Sequence, residues 1–370
     1  MKKIFSIAFV VACIQLVYNS NAYSQLTSLP SGGNKRASVS EQIGLTDVTI
    51  RYSRPHVNKR DGHIWGELIP VGYVDQGFGS SKQAPWRAGA NESTTIEFSN
   101  DVTIEGQPLA AGKYGFFIAY DPNECTLIFS KNSTSWGSFF YNPSEDVLRV
   151  KVKPVTSDRS IEWLKYEFTD ETPNSAVVQL QWEKLMIPFK IETDVVKNQL
   201  ASFRRELRSE KGFNWEAWDQ GAQYCAQNNT NLDEALLWSD TAVSFSGGQI
   251  FQALSTKATI LDSMGKHDEA AGILKKALPL GNETELYLYA KNLAQHHQGQ
   301  RAFEMFKFDY DKHPNDFQTN WGMARGYSAI GDYKQALAFA QKARVQSPNQ
   351  ATTTFVDNMI KTLQAGKDMN

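Results

Sequence analysis

The sequence is short of cysteine, of an excess of either charge, and of any second long hydrophobic run. It holds 3 Cys in 370 residues, too few for a scaffold built on disulfides. Its 38 Lys and Arg stand against 40 Asp and Glu, a formal net charge of −2. That balance lacks the basic footprint a nucleic-acid binder sets against phosphate, so no nucleic-acid partner is expected. The 25 Gly and 13 Pro fall short of a collagen-like or low-complexity chain, and 41% hydrophobic residues are enough for packed cores. Beyond the N-terminal segment no apolar stretch reaches the length of a spanning helix, so no transmembrane segment is expected. Also missing are a Gly-x-Ser-x-Gly elbow, a His-Glu-x-x-His pair, a Cys-x-x-Cys pair and a phosphate loop. The chemistry these patterns announce has no signature here, and no cofactor is expected.

The N-terminus reads as an export signal over residues 1–24. Met1-Lys2-Lys3 is a short positive start, Ile4 to Val17 an apolar stretch, and Ala22-Tyr23-Ser24 places small residues where signal peptidase cuts, before Gln25. Val10-Val11-Ala12-Cys13 offers a second reading, a lipobox with Cys13 as lipid anchor, but the apolar residues Ile14 to Val17 come next, where a polar tether is needed. The expected location is therefore exported, periplasmic or envelope-associated. Cys125 and Cys225 then remain, and both read as buried small hydrophobes.

The rest of the chain changes period near residue 193. Over 26–192 short β-rich runs alternate with turn signals. Val48–Tyr52, Thr94–Phe98, Val102–Ile104, Tyr114–Tyr120, Thr126–Phe129, Val147–Val152, Ile161–Phe168, Ala176–Trp182 and Ile187–Ile191 predict strands. With no helical period between them, the fold class is an antiparallel β-sandwich or barrel, and the sandwich is favoured. The stretch Gly106 to Gly115 reads as a hairpin turn between strands.

Over 193–212, Val195, Val196, Leu200, Phe203 and Leu207 recur at helical spacing and predict a linking helix. Lys197, Arg204, Arg205 and Arg208 fall off that stripe, as a solvated side or as a docking face for an acidic partner. From 213 to 365 the chain repeats. Ala235, Ala270, Ala302 and Ala336 are spaced by 35, 32 and 34 residues. Ala242, Ala277, Asp309 and Ala343 come after them at one offset, and Ala258, Ala290 and Ala324 precede the last three at another. Pro314 and Pro348 stand at the unit ends, where proline stops a helix. This pattern resembles the tetratricopeptide repeat. Four units are expected, near 216–250, 251–282, 283–316 and 317–350, with Phe355, Met359, Ile360 and Leu363 on a capping helix. The fold expected for the whole chain is thus a β-sandwich followed by an α-helical tetratricopeptide-like solenoid. Trp215, Trp218, Trp238 and Trp321 read as inter-helix packing.

Several separated motifs of the β half agree in order. They are Arg36–Gly44, Tyr52-Ser53-Arg54-Pro55, Ile64–Pro70, Trp86–Thr94, Ala111–Phe116 and Glu145–Arg149. Together they resemble the domain-of-unknown-function family 2911, over about residues 26–192. The resemblance implies a β-rich exported domain of Bacteroidetes-type bacteria, sometimes followed by helical repeats, and it brings no activity with it. The chain departs from the family pattern by an insertion, Asp75 to Pro85, which reads as an exposed flexible loop.

The densest polar and aromatic cluster lies in the loops of this half. It contains Tyr52, Arg54, His56, Arg60, Trp65, Trp86, Arg87, Asn91 and Glu92. Arg54, Arg60, Trp65, Trp86, Arg87, Asn91 and Glu92 are the candidate ligand-binding residues, for a small anionic or carbohydrate ligand: a guanidinium forks around an anion, and an indole offers a flat face. The alternative is structural, with Arg87 paired to Glu92, Asn91 satisfying loop backbone and the indoles plugging the sandwich end. Two chemical readings are weighed beside these. Glu92 with Glu67 or Asp61 is a carboxylate pair for an envelope hydrolase. His56, Asp61 and His63 are a metal set that matches no established ligand spacing. In the array, the tetratricopeptide resemblance implies a bound protein or peptide partner, with Arg325 and Asn292 as contributors. The function read from the sequence is an exported two-domain binding or scaffold protein. A hydrolase near Arg87 and Glu92 is one alternative, and a structural subunit of an envelope complex the other.

Overall fold

The computed structural model describes residues 33–370. The export segment expected over 1–24, and Cys13 with it, lie outside the described residues. The chain divides into two compact units, one through Val195 and one from Val196 to Asn370.

Among the described residues the first unit holds ten strands: β1 (Lys35–Ile43), β2 (Thr46–Arg54), β3 (Thr94–Phe98), β4 (Val102–Ile104), β5 (Gln107–Leu109), β6 (Gly112–Ala119), β7 (Cys125–Ser130), β8 (Asp146–Val152), β9 (Val155–Thr172) and β10 (Ser175–Thr193). They form two antiparallel sheets, one in the order β1-β2-β3-β6-β7-β8 and the other β5-β4-β10-β9. Alternation explains the faces. Val48, Ile50 and Tyr52 of β2 are buried while Asp47 and Arg51 between and beside them are exposed. The inward residues of both sheets make one core. Ile50, Ile96, Phe116 and Phe129 come from the first, and Tyr166, Leu180, Trp182 and Phe189 from the second. The rings of Phe116 and Phe189 meet across the layers at 5.5 Å. Each such side chain, fully buried, contributes about 1.5–3 kcal/mol.

Two local expectations are corrected. The Gly106–Gly115 stretch is not a single turn: Glu105 and Gly106, at φ 50° and 77°, make a tight turn into β5, and β6 begins at Gly112. The runs 176–182 and 187–191 are one strand. Its register shifts at Glu183, which has φ 50°. This bulge lets the strand bend without ending. The buried Glu183 carboxylate there accepts the Gly62 N–H at 2.8 Å.

The second unit is helical. Helix α1 (Val195–Glu206) precedes α2 (Trp215–Gln227), α3 (Leu232–Ser244), α4 (Phe251–Ser263), α5 (His267–Ala277), α6 (Glu283–Gln295), α7 (Gly299–Lys312), α8 (Phe317–Ala329), α9 (Tyr333–Val345) and α10 (Gln350–Gln364). From α2 to α9 they form four antiparallel pairs of the tetratricopeptide kind, closed by α10. The repeat offsets have a direct physical cause. Ala235, Ala270, Ala302 and Ala336 are all at most 2% exposed, and so are Ala258, Ala290 and Ala324. A larger side chain at any of them would hold two helices apart. Leu200 on α1 and Leu207 just past its end are buried, while Arg204 forks onto Glu234 of α3 at 2.8 and 2.6 Å. Cys125 and Cys225 are both free and buried.

The third pair breaks the rule at Asp309, 1% exposed where the other pairs carry alanine. Its Oδ1 meets His313 Nδ1 at 3.0 Å, and its Oδ2 is buried with no partner. Burial raises the Asp309 carboxyl above its ordinary 3.8, with His313 opposing the shift. A folded-state pKa above the unfolded one makes the ionised group destabilising once pH has risen past the folded value, and neutral below the unfolded one. Asp309→Ala is therefore expected to gain about 1 kcal/mol at neutral pH, from removal of the unpaired oxygen. The gain should fade as pH falls towards that 3.8. Thermal melts of both chains across this range read it, and a lowered midpoint at neutral pH would assign the Asp309–His313 pair a net stabilising role.

Candidate functional sites

The long connection between β2 and β3 does not float over the first unit. Its backbone is stitched to strands: Trp86 exchanges two hydrogen bonds with Ile118 of β6, at 2.9 and 2.8 Å, just past the point where β3 leaves that strand. Gly72 N–H donates to Tyr120 O at 2.7 Å, and Val74 pairs with Ala84. The connection thereby walls a cleft of about 600 Å³, lined by Arg60, Pro70, Gln76, Trp86, Arg87 and Asn91 among others.

The indoles lie beneath it and face one another. Trp86 stacks on Trp182 of β10 with ring centres 6.2 Å apart and 21° between planes. Trp65 sets its edge against both, at 5.5 and 5.9 Å. Trp86 Nε1 donates to Gly89 O at 3.0 Å. With their faces taken by each other, these rings act as a floor. The sequence singled out Trp65 and Trp86 but missed Trp182, which it read only as the end of a strand run.

Arg87 brings a charge to the cleft without an ionic partner. Its Nη1 donates to Asn91 O at 2.8 Å, and its guanidinium lies 5.3 Å from the Phe139 ring centre. Gly137 leaves room for it, since a Cβ there would sit 2.6 Å from the guanidinium carbon. Burial pulls the Arg87 pKa down, and no carboxylate pairs with it among the described residues. Asn91, at φ 58°, turns the chain and accepts from Asn34 Nδ2 at 3.1 Å. Gln76 donates to Ser138 Oγ at 3.1 Å and keeps a buried Oε1 with no partner.

The expected Arg87–Glu92 pair does not form. Glu92 instead takes Arg36 Nε of β1 at 2.7 Å and Ser53 Oγ at 3.2 Å, and it lines a separate depression with Arg36 and Lys113. Arg54 Nε is spent on Leu164 O at 2.8 Å. Arg60 closes its own loop, donating to Val57 O at 2.9 Å and His56 O at 2.6 Å. The weighed metal residues part company: His56 stacks on Trp163, His63 meets Glu67 at 3.0 Å, and Asp61 accepts from Ser160. Among the described residues no three His, Cys, Asp or Glu side chains gather as a metal site. The inserted 75–85 segment is pinned, contrary to the flexible loop expected. Ser81 N–H donates to Phe139 O at 3.0 Å, Phe78 packs edge-on against Phe139, and Gly79 at φ 80° has its α-carbon too close to Phe139 O for any side chain.

The second candidate lies on α8. Arg325 is 6% exposed, its Nε is buried with no acceptor, and no carboxylate pairs with it among the described residues. Its neighbour is Tyr287 of α6, whose phenol burial pushes up while Arg325 and Trp321 oppose the shift. Close packing holds this helix in place: Phe306 of α7 fills the space over Gly322 and Gly326. The segment after α10 lies across it. Ser328 Oγ donates to Asp368 Oδ1 at 2.6 Å, Met369 N–H donates to Ser328 Oγ at 3.0 Å, and Asn370 Nδ2 donates to Arg325 O at 3.1 Å. The other residue named for the array, Asn292, is exposed, and its carbonyl accepts from the His296 backbone at 3.1 Å. Nothing periodic marks Asp368 or Met369, so no pattern in the sequence points to them.

Residues 34–191 match a family model described as "Protein of unknown function (DUF2911)". No curated protein matches the chain. Several solved structures are similar to the helical unit. One is YrrB, described as a TPR protein with an unusual peptide-binding site, at 17% identity over 44% of this chain and 84% of that one, with a TM-score of 0.27. Another is TTC0263, a thermophilic TPR protein of Thermus thermophilus, at 16% identity over 46% and 91%, with a TM-score of 0.31. A tetratricopeptide repeat protein of Parabacteroides merdae gives 16% identity over 46% and 80%, with a TM-score of 0.21. Among the described residues no helix is long and apolar enough to cross a membrane.

Proposed function

We propose that this chain is an exported binding scaffold whose helical unit holds an extended protein segment and whose β unit holds a small anionic ligand. One observation carries the first half. A non-helical stretch of chain, Asp368 to Asn370, is already held against α8, with a main-chain N–H and a carboxylate bonded to Ser328. That is the chemistry of a peptide held by side chains, with an apolar anchor beside it. The unpaired Arg87 guanidinium supports the second half, since a cation drawn out of water without a counter-ion favours an anion that enters the cleft. The indole floor, with its faces occupied, favours the anionic ligand over a stacked carbohydrate. The N-terminal signal pattern supports export. No residue pair in the cleft favours the hydrolase reading, because Glu92 is committed to Arg36.

The test is affinity capture from envelope extract with residues 25–370 as bait and in-gel cross-linking, beside Arg325→Glu and Arg87→Ala baits. A partner lost with Arg325→Glu and kept with Arg87→Ala is expected, with the cross-links on α6 and α8. Capture indifferent to Arg325→Glu would remove the groove from the reading.

A further inference from the structure

We propose that residues 366–370 are a built-in occupant of the α8 groove, displaced by an extended acidic partner segment that brings a carboxylate to Arg325 and an apolar side chain to the place of Met369. The inference rests on the reading that the helical unit binds an extended segment, and it adds the chemistry of that segment and a competitor for it.

The tail is steered into the groove by its own sequence. At the end of α10, Gly366 N–H donates to Leu363 O at 3.0 Å and Lys367 N–H donates to Thr362 O at 3.2 Å. Gly366 has φ 68°, in the left-handed region. This paired closure is the Schellman ending of a helix, and it reverses the chain so that the residues after it run back over the array. A side chain at position 366 would meet no neighbour, so the strain of φ 68° alone argues for glycine there.

The reversed segment has the form of a bound peptide. Met369 is 7% exposed and belongs to one apolar cluster with Trp321, Ala324, Val356 and Leu363. Lys367 and Asp368, just past the reversal, stay exposed. One buried unbranched side chain, flanked by a carboxylate and a bonded main-chain N–H, is an anchor-and-clamp arrangement, and an adaptable thioether suits an anchor that must leave.

The fit is incomplete in a way that names the better occupant. Asp368 is taken by Ser328 and Asn370, whose bonds hold its carboxyl below the ordinary range against burial, and no oxygen of it pairs with Arg325. The Arg325 guanidinium therefore stays buried with an idle Nε, and Asn370 Oδ1 is buried without a donor. A buried cation without its anion is costly, and an occupant that supplies a carboxylate at that point regains the difference. The tail holds its place through tethering, because a segment joined to α10 by a single turn acts at a high effective concentration. An untethered partner must bind better, and its apparent affinity falls by the fraction of groove left open.

The experiment uses the chain from Gln25 to Asn370, with fluorescein-labelled peptides of residues 362–370 as probes, both with amidated ends, one with the native sequence and one extended past Asn370 by two aspartates, which keeps the bonds of Asn370 to Arg325 O and Asp368. Selective 13C labelling of the methionine methyls reports Met369. In the unaltered chain the Met369 methyl is expected to be docked and probe binding weak. Met369→Ser and Gly366→Ala, two independent ways of freeing the tail, should each tighten the acidic probe at least tenfold. Adding Arg325→Gln to the freed chain should erase the preference for the acidic probe over the native one, while helical circular dichroism stays unchanged. A solvated Met369 methyl in the unaltered chain, or equal probe affinity in the unaltered and the freed chains, overturns the proposal and leaves the peptide-binding reading standing. A docked Met369 with no probe bound by either freed chain overturns that reading, and the proposal with it.

Discussion

Trp182→Ala is expected to lower the stability of the β unit by about 3–5 kcal/mol, the range for removing a large buried aromatic. Trp182 is 1% exposed and sits where the two sheets and the β2–β3 connection meet. It carries the stack with Trp86 at 6.2 Å and the edge of Trp65 at 5.9 Å, so its loss leaves both without a floor. Its Nε1 is buried without an acceptor, so truncation removes no hydrogen bond, and the whole loss is packing. Urea unfolding followed by resolved amide NMR signals of the β strands and by helical circular dichroism separates the two units. The β transition should move and the helical one should stay. Trp182→Phe, which keeps a ring against Trp86, should cost clearly less. A loss below about 1 kcal/mol for Trp182→Ala would show that the indoles of Trp65 and Trp86 collapse into the space. The cleft above would then not be the preformed one described.

The same residue shows where sequence reading stops. The sequence reads 176–182 as one strand, with Trp182 at its end. That it also underlies Trp86, far away in sequence, depends on the pairing of Trp86 with Ile118, which no local pattern records. Glu92 fails for the same reason. A nearby cation, Arg87, is the natural partner in one dimension, but the β1–β2 pairing brings Arg36 opposite Ser53 and so beside Glu92. The helical unit was far more legible, because each pair must solve the same close approach and repeats its alanines to do so. Asp309 stood out in the sequence as the exception to that rule, and the structure finds it buried with an idle oxygen. Gly366, two residues past the end of α10, favours a left-handed closure, a sign the sequence reading did not use. Where the closure sends the chain is a matter of packing against α8, and so short a segment carries no period.

Phe306 and Gly322 are expected to be strongly coupled. Phe306 of α7 is 1% exposed and packs with Ala290, Leu293, Ala302 and Met323. Its ring lies 5.7 Å from that of Tyr287, and a Cβ on Gly322 would come within 2.8 Å of it. Phe306→Ala is expected to cost about 3–5 kcal/mol. Gly322→Ala alone sets two opposed effects against each other. Alanine favours the helix by up to about 1 kcal/mol. The forced ring shift costs about 1–3 kcal/mol, so a net loss is expected. In the Phe306→Ala background the ring is gone, the methyl enters empty space, and Gly322→Ala should become stabilising. The two changes together should therefore cost less than their sum by more than about 1 kcal/mol, well above the additivity error for independent sites. Urea unfolding of the four chains, read by helical circular dichroism, measures the cycle. Additivity would mean that α7 and α8 slide apart to admit the methyl. Because each pair in such an array leans only on its neighbours, that slide would reach Tyr287 and Arg325. Gly322→Ala would then alter probe binding in the groove at a cost independent of Phe306, whereas the close packing makes that cost depend on the Phe306 ring.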